Sequence, residues 1–170
     1  MAVKEILLLG NPKLYEVCEP VKEEELDSVK AAAEDLRDTL LDFRKKHNAG
    51  RAIAAPQIGV MKRIVFMMLD EPVVFINPVL DNFSEETFEI WDDCMSFPDL
   101  LVRVRRYKTC LIRFKDINWK DKSMDLNESL SELLQHEVDH LDGILAVQRS
   151  VDGKAFALKG QVEFERVFPD

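Results

Sequence analysis

The spacing of apolar residues changes twice along this chain, and the order of these changes constrains the fold more than any other feature. Residues 26–46 carry apolar side chains at intervals of three and four, which predicts an N-terminal amphipathic helix that Asn48 and Gly50 end. Over residues 61–117, short apolar runs alternate with turns rich in Asp, Asn and Pro, which predicts antiparallel strands. Helical spacing returns near residue 129. A helix, several strands and a second helix together predict an α+β fold.

The second helix shows a start, an end and a buried face in its sequence. Ser129 and Glu132 have the spacing of a capping box, and Gly143 suits the position at which the helix ends. After this helix the chain begins like a strand, and the pattern of the tail favours no particular structure. The side chains predicted to face the core are Leu130, Leu134, Val138 and Leu141.

Length, charge and cysteines limit the classes of function. With 170 residues, of which 46% are hydrophobic, the chain can bury its own core, so residues 1–170 are predicted to form one domain. The net charge of -9 argues against a nucleic-acid or anionic-membrane partner. The apolar run after Glu5 is too short for a signal peptide or a membrane span and is predicted to be a strand or an extended arm. The cysteines form no paired framework, so we expect reduced thiols in the cytoplasm.

Two histidines in the second helix predict a metal site. His136 and His140 are four positions apart, so both rings can face one ion from the same side of a helix. Glu137 is offset by one position and can reach a water beside the ion without occupying a ligand position. The alternative is a solvated helix face that happens to be rich in charge.

The identity of a third ligand separates the possible enzyme classes, because catalytic zinc-like sites usually use three protein ligands. Glu163 or Glu165 would indicate a thermolysin-like metallopeptidase, although their segment alternates like a strand. Cys94, at the predicted end of a strand, is the favoured candidate, whereas Cys110 alternates within a strand as a core residue would. A non-catalytic, metal-stabilised module that binds peptides is a third possibility.

Three segments resemble the motifs of the peptide deformylase family, in the family's order. GRAIAAPQ at 50–57 resembles GxGxAAxQ, DDCMS at 92–96 resembles EGCLS, and QHEVDHLDG at 135–143 resembles QHExDHLxG. The resemblance covers nearly the whole chain. It implies antiparallel sheets around a central metal-binding HExxH helix, and a metal-dependent hydrolase that removes the formyl group from the N-terminal formylmethionyl residue of nascent peptides.

The resemblance also implies roles for particular residues. One divalent ion per chain is expected, most often Fe2+ in this family, with Zn2+ or Ni2+ as substitutes. Glu137 would be the general base, and the Gln57 amide with the backbone N–H of Met95 would form an oxyanion hole. The implied metal ligands are Cys94, His136 and His140.

The expected substrate site departs from the family pattern. Residues 50–52 would form an edge along which a peptide adds as a strand. Several polar residues lie where an apolar methionine pocket is expected, so we expect altered or weak activity on formylmethionyl peptides. Asp92 replaces the family's Glu and is expected to pair with Arg106. The sequence does not indicate an oligomeric state. The residues expected to contact substrate are Gly50, Arg51, Ala52, Asp93, Ser129, Glu132 and Leu133.

Overall fold

The computed structural model describes residues 2–164, and these residues form two α-helices and eight β-strands. The predicted α+β class is confirmed, and the first helix extends only one residue beyond its predicted range. The helices are α1 (Leu26–His47) and α2 (Glu128–Leu141). The strands are β1 (Ala52–Ala54), β2 (Ile64–Met68), β3 (Pro72–Asp81), β4 (Thr87–Asp92), β5 (Leu100–Tyr107), β6 (Thr109–Lys115), β7 (Asp121–Asn127) and β8 (Phe156–Leu158).

The strands form two antiparallel sheets. The larger sheet has the order β1-β2-β3-β6-β7, and the smaller sheet has the order β4-β5-β8. Neighbouring strands are antiparallel throughout both sheets of the described chain. β1 forms one edge of the larger sheet, so one side of its backbone has no neighbouring strand among the described residues.

A helix covers each face of the larger sheet. On β2, Val65 packs in the core cluster that contains Leu134 of α2, whereas Phe66 packs in the cluster that contains Leu36 of α1. Successive side chains of a strand point to opposite faces, so β2 needs apolar residues at consecutive positions. α2 also contacts β5 of the smaller sheet and therefore lies between the two sheets.

The end of α2 agrees with the sequence, but its predicted capping box is wrong. The helix begins at Glu128, and the Glu132 carboxylate pairs with Arg51, which lies 81 residues away in the chain. Gly143 follows the helix with φ of +70°, as a terminating glycine would. Of the predicted core side chains, Leu134, Val138 and Leu141 are buried and Leu130 is partly buried.

Several segments outside the predicted strand region differ from expectation. β7 is a mostly exposed polar strand, and β8 lies in the tail. The strand-like start expected after α2 is wrong, because Ala146–Arg149 form a 3-10 helix. The N-terminal residues form an arm whose Leu7 N–H donates to the Gln57 carbonyl oxygen at 2.8 Å. None of the helices in the described part of the chain is long and apolar enough to cross a bilayer.

Replacing Gly143 should reveal how tightly the end of α2 meets the N-terminal segment. A Cβ there would lie 2.5 Å from the Tyr15 carbonyl oxygen, whereas one at Gly59, with φ of +80°, would meet nothing within 4 Å. We expect Gly59→Ala to lower the free energy of unfolding by about 1–2 kcal/mol through strain. Gly143→Ala should add about 1–3 kcal/mol of overpacking to that loss. Urea unfolding measures both, and equal losses would contradict the close contact.

Candidate metal centre and adjoining cleft

Three residues from separate parts of the sequence converge at the buried face of α2. The Cys94 Sγ atom lies 3.3 Å from His140 Nε2, which in turn lies 3.2 Å from His136 Nε2. The ligand atoms of the three residues all lie within 4.8 Å of one another, and all three side chains are buried. Cys94 follows the end of β4, so the smaller sheet supplies the sulfur and the helix supplies both rings.

The three donors fit a tetrahedral transition metal. Bonds of about 2.0–2.1 Å to nitrogen and 2.3 Å to sulfur, at tetrahedral angles, separate neighbouring donors by about 3.3–3.6 Å. The observed separations of 3.2 and 3.3 Å lie close to this range. Three protein donors leave a fourth position for water or substrate, which is the usual composition of a catalytic site.

Asp92, the last residue of β4, orients the ring of His136. His136 Nδ1 donates to Asp92 Oδ2 at 2.9 Å, which leaves Nε2 for an ion. Arg106 donates to the same oxygen at 3.2 Å, as predicted from the sequence. Burial opposes charge on Asp92, but His136 and Arg106 outweigh it and lower the pKa of this carboxyl to about 2. Burial likewise opposes charge on His136, but Asp92 and Cys94 raise its pKa, so an ion would compete with a proton for Nε2.

Two polar atoms beside this cluster are buried and have no hydrogen-bond partner among the described residues, namely Glu137 Oε2 and His140 Nδ1. Burial, together with the nearby His136, lowers the pKa of His140 well below its usual value, so its ring is neutral and can bind a metal. Burial raises the pKa of Glu137 to about 7. The alternative of a solvated helix face is therefore wrong.

Gln57 is buried at 2% exposure, so it is not a surface glutamine. It lies in a 3-10 helix, Ala55–Ile58, directly after β1. Its side-chain oxygen accepts the Ala54 N–H at 2.9 Å, and its nitrogen donates to Ser96 Oγ at 3.2 Å and lies 3.5 Å from Cys94 Sγ. The local bond to Ala54 therefore points the amide nitrogen at the cluster. Ser96 was missed by sequence reasoning, although it belongs to the DDCMS motif.

A cleft of about 390 Å³ opens beside the cluster. All the residues predicted to contact substrate line it, together with Gln57, Met95 and Glu137. Sequence reasoning missed the apolar part of its wall, although alternation along β4 could have indicated that Phe88 and Ile90 share one face. The apolar lining side chains not predicted from the sequence are Phe43, Ala49, Phe88, Ile90, Trp91 and Phe164.

Charged side chains also line the cleft. Arg51 reaches across it from the residue before β1, pairs with Glu132 and donates to Ser129 Oγ at 3.0 Å. Asp93 has a different partner, since its Oδ2 lies 3.5 Å from Lys159 Nζ. Of the alternative third ligands, Glu163 is exposed and does not join the metal-binding group, and Glu165 lies outside the described residues.

Comparison with known proteins identifies the family. The profile of the family described as polypeptide deformylase matches residues 3–155. The chain belongs to the peptide deformylase family. A peptide deformylase from Parafrankia sp. is 37% identical over 168 residues, which cover 97% of this chain and 88% of the relative. Peptide deformylases are metalloenzymes. Because the matching family and the relatives are deformylases, a thermolysin-like metallopeptidase and a non-catalytic module are not favoured.

Solved deformylase structures share the fold. The Thermotoga maritima enzyme superposes with a TM-score of 0.81 at 27% identity, covering 89% of this chain and all of that one. A class I type b peptide deformylase from Acinetobacter baumannii, bound to Met-Ala-Ser, has a TM-score of 0.80 at 27% identity. That alignment covers 87% of this chain and 98% of the other. The similarity therefore extends over nearly all of both chains.

Substituting Cys94 should remove the metal from this deformylase. Cys94→Ser replaces a thiolate with a poor ligand and is expected to lower metal content at least tenfold. Cys110→Ser is the matched control, because Cys110 is also buried but contacts Ser131 instead of the histidines. Mass spectrometry of anaerobically purified protein gives the metal-to-protein ratio. Unchanged metal in Cys94→Ser would show that another residue provides the third ligand.

Proposed function

We propose that this chain is a metal-dependent hydrolase that removes the formyl group from the N-terminal residue of nascent peptides, with residues 1–170 as one deformylase-like domain. The observation that carries the proposal is the buried cluster of Cys94, His136 and His140 beside Glu137, whose Oε2 atom has no hydrogen-bond partner within residues 2–164. The proposed setting is the cytoplasm, which suits the three free cysteines of the described chain. Direct partners other than the formylated peptide are not needed for this reaction.

Cys94, His136 and His140 would hold one divalent ion, which we propose to be Fe2+, with Zn2+ or Ni2+ as substitutes. A thiolate and two neutral imidazoles suit all three metals, so the choice of iron rests on the family resemblance. When bound, the ion supplies Lewis acidity, which acidifies water and stabilises negative charge. Asp92 would raise the basicity of His136 and keep its Nε2 directed at the ion.

Glu137 is proposed to move the proton. Glu137 follows His136 directly in the sequence, and its side chain is almost fully buried. Its Oε2 atom is available to accept a proton from water. Burial raises the pKa of this carboxyl to about 7, which matches a group that takes a proton and later returns it to a departing amine near neutral pH. The products would be formate and a free N-terminus.

Gln57 and Met95 are proposed to stabilise the oxygen of the formyl group as negative charge develops on it. The bond from Ala54 N–H fixes the Gln57 side chain, so its amide nitrogen is already directed at the cluster before substrate binds. The backbone N–H of Met95, between Cys94 and the buried Ser96, would supply the second donor. Donors fixed in advance stabilise an oxyanion without reorganisation during the reaction.

The peptide is proposed to add as a strand to the edge of β1 that has no neighbouring strand in the described part of the chain. Met68 N–H donates to the Arg51 carbonyl oxygen at 3.0 Å, so this pair is bonded across the ladder. Bonded and non-bonded pairs alternate in an antiparallel ladder, so the N–H and C=O of Ala52 point away from β2 and toward the cleft. They would hold the substrate backbone beside the metal cluster.

Removing the proposed proton acceptor should abolish the chemistry and preserve the metal. We expect Glu137→Gln to reduce kcat for formate release from formyl-Met-Ala-Ser by about 10² to 10⁴, the usual contribution of general acid–base catalysis. Formate is measured with metal-loaded protein, and metal content is measured in parallel. Glu34→Gln, the same substitution at an exposed position of α1, is the control.

The same experiment separates the enzyme from a binding module. A module that only binds peptides would release no formate from any formyl peptide, and Glu137→Gln would not change its affinity for peptides. Full activity of Glu137→Gln would show that the proton is transferred by another group. Loss of activity on Glu163→Ala instead would favour the peptidase arrangement.

A further inference from the structure

The geometry points to Arg51, Glu132 and Ser129 as a polar recognition site for the first side chain of the formylated peptide, one that favours an uncharged amide side chain over the thioether of methionine. This inference rests on the proposed deformylation and extends its substrates from formylmethionyl nascent chains to N-formyl peptides with another first residue. Glutamine is the natural side chain that has this chemistry and the length of methionine.

Arg51 connects the two walls of the cleft. Its guanidinium starts from the strand-edge side and reaches α2, where one terminal nitrogen pairs with Glu132 and the other donates to Ser129 Oγ at 3.0 Å. These partners are separated from it by 78 and 81 residues of chain, so only the folded structure brings them together. The three side chains line the same cleft as the metal cluster.

The pair lies within reach of the first side chain of a bound substrate. Glu132 precedes His136 by four positions, so it occupies the same helix face about 5–6 Å away. In an N-formyl peptide only the nitrogen separates the formyl carbon from the α-carbon that carries the first side chain. When the formyl group is at the metal cluster, that side chain must therefore enter the space beside Glu132 or Leu133.

A thioether is a poor occupant of this space. The side chains of Arg51 and Glu132 are only 21% and 9% exposed, so a bound substrate would remove much of their remaining contact with water. A sulfur atom accepts hydrogen bonds weakly and donates none. Covering two charged groups without offering them hydrogen bonds is unfavourable, so methionine binding would cost affinity here.

Charged side chains are also disfavoured, which leaves a neutral amide as the best fit. A carboxylate would face Glu132, and an ammonium group would face Arg51, and both of these residues line the cleft. A carboxamide has an oxygen that can accept from Arg51 and a nitrogen that can donate to Glu132, so it can join the pair without separating the charges. The methylene groups of glutamine would pack against Ile90 and Leu133 of the same cleft.

The test compares formyl-Gln-Ala-Ser, formyl-Met-Ala-Ser and formyl-norleucyl-Ala-Ser with metal-loaded enzyme. The three first side chains have nearly the same length and differ in polarity. We expect the kcat/KM for glutamine to exceed that for methionine at least tenfold, because a site that hydrogen-bonds a substrate group rejects analogues that lack it. Methionine and norleucine should be nearly equal.

A double variant tests whether the pair causes the preference. Arg51→Leu with Glu132→Leu removes both charges together and leaves no buried ion unpaired. It is expected to reverse the order, so that norleucine and methionine exceed glutamine, mainly through KM. The matched control is Arg105→Leu with Glu89→Leu, an exposed pair at 2.7 Å on the smaller sheet, which should keep the preference of the unmodified enzyme.

A binding measurement keeps the inference testable without catalysis. NMR titration of the same proteins with the deformylated products Gln-Ala-Ser and Met-Ala-Ser gives relative Kd values, and melting curves show whether the double variant is folded. Tighter binding or faster cleavage of the glutamine peptide supports the inference. Any preference of the unmodified enzyme for methionine overturns it, as does an unchanged preference in the folded double variant. Absence of formate from all three peptides contradicts the proposed function instead, and the Kd values then decide the preference.

Discussion

The burial of the polar face of α2 between two sheets is the constraint on which the rest of the structure depends. His136, Glu137 and His140 are all removed from water, and buried polar groups are unfavourable unless they find partners. The opposite face of the helix packs Leu134 and Leu141 into the core of the larger sheet, so the helix cannot rotate its polar residues outward. The smaller sheet must therefore supply partners.

That sheet does so through a chain of alternating charges. Asp92 accepts from His136 and from Arg106, and Arg106 donates to Asp139 at 2.8 Å. Arg149 completes the chain by donating to Asp139 at 2.9 Å. Arg106 is 4% exposed, and a buried arginine is stable only when carboxylates surround it. The same residues that satisfy the buried face therefore also fix the orientation of a proposed ligand ring.

Much of this structure could be predicted because the governing interactions are local. Helix α1 follows directly from its apolar spacing, and the pairing of His136 with His140 follows from the helical repeat. β7 could not be predicted, because it is a mostly exposed polar edge strand that extends along β6, where Cys110 pairs with Leu126. Its apolar alternation is limited to Met124 and Leu126, which is too short a pattern to indicate a strand or its partner.

The capping box shows how a distant residue can overturn a local pattern. Ser129 and Glu132 have the correct spacing to bond with the start of their own helix, but both side chains contact Arg51 from across the cleft instead. The burial of Gln57 is non-local in the same way, since it depends on Ser96 as well as on the adjacent Ala54. Site residues in sequence motifs could be named in advance, whereas their contacts required the folded chain.

The N-terminal arm helps to hold separate parts of the site at a fixed distance from each other. Leu7 N–H donates to the Gln57 carbonyl oxygen and Leu9 N–H donates to that of Ser96, both at 2.8 Å. The turn after β1 and the turn after β4 belong to different sheets, so no shared strand ladder fixes their separation. The N–H groups of Leu7 and Leu9, two residues apart on the same arm, link the two turns instead. Because Gln57 and Cys94 sit in these turns, the arm helps to set the distance between an amide donor and a proposed metal ligand.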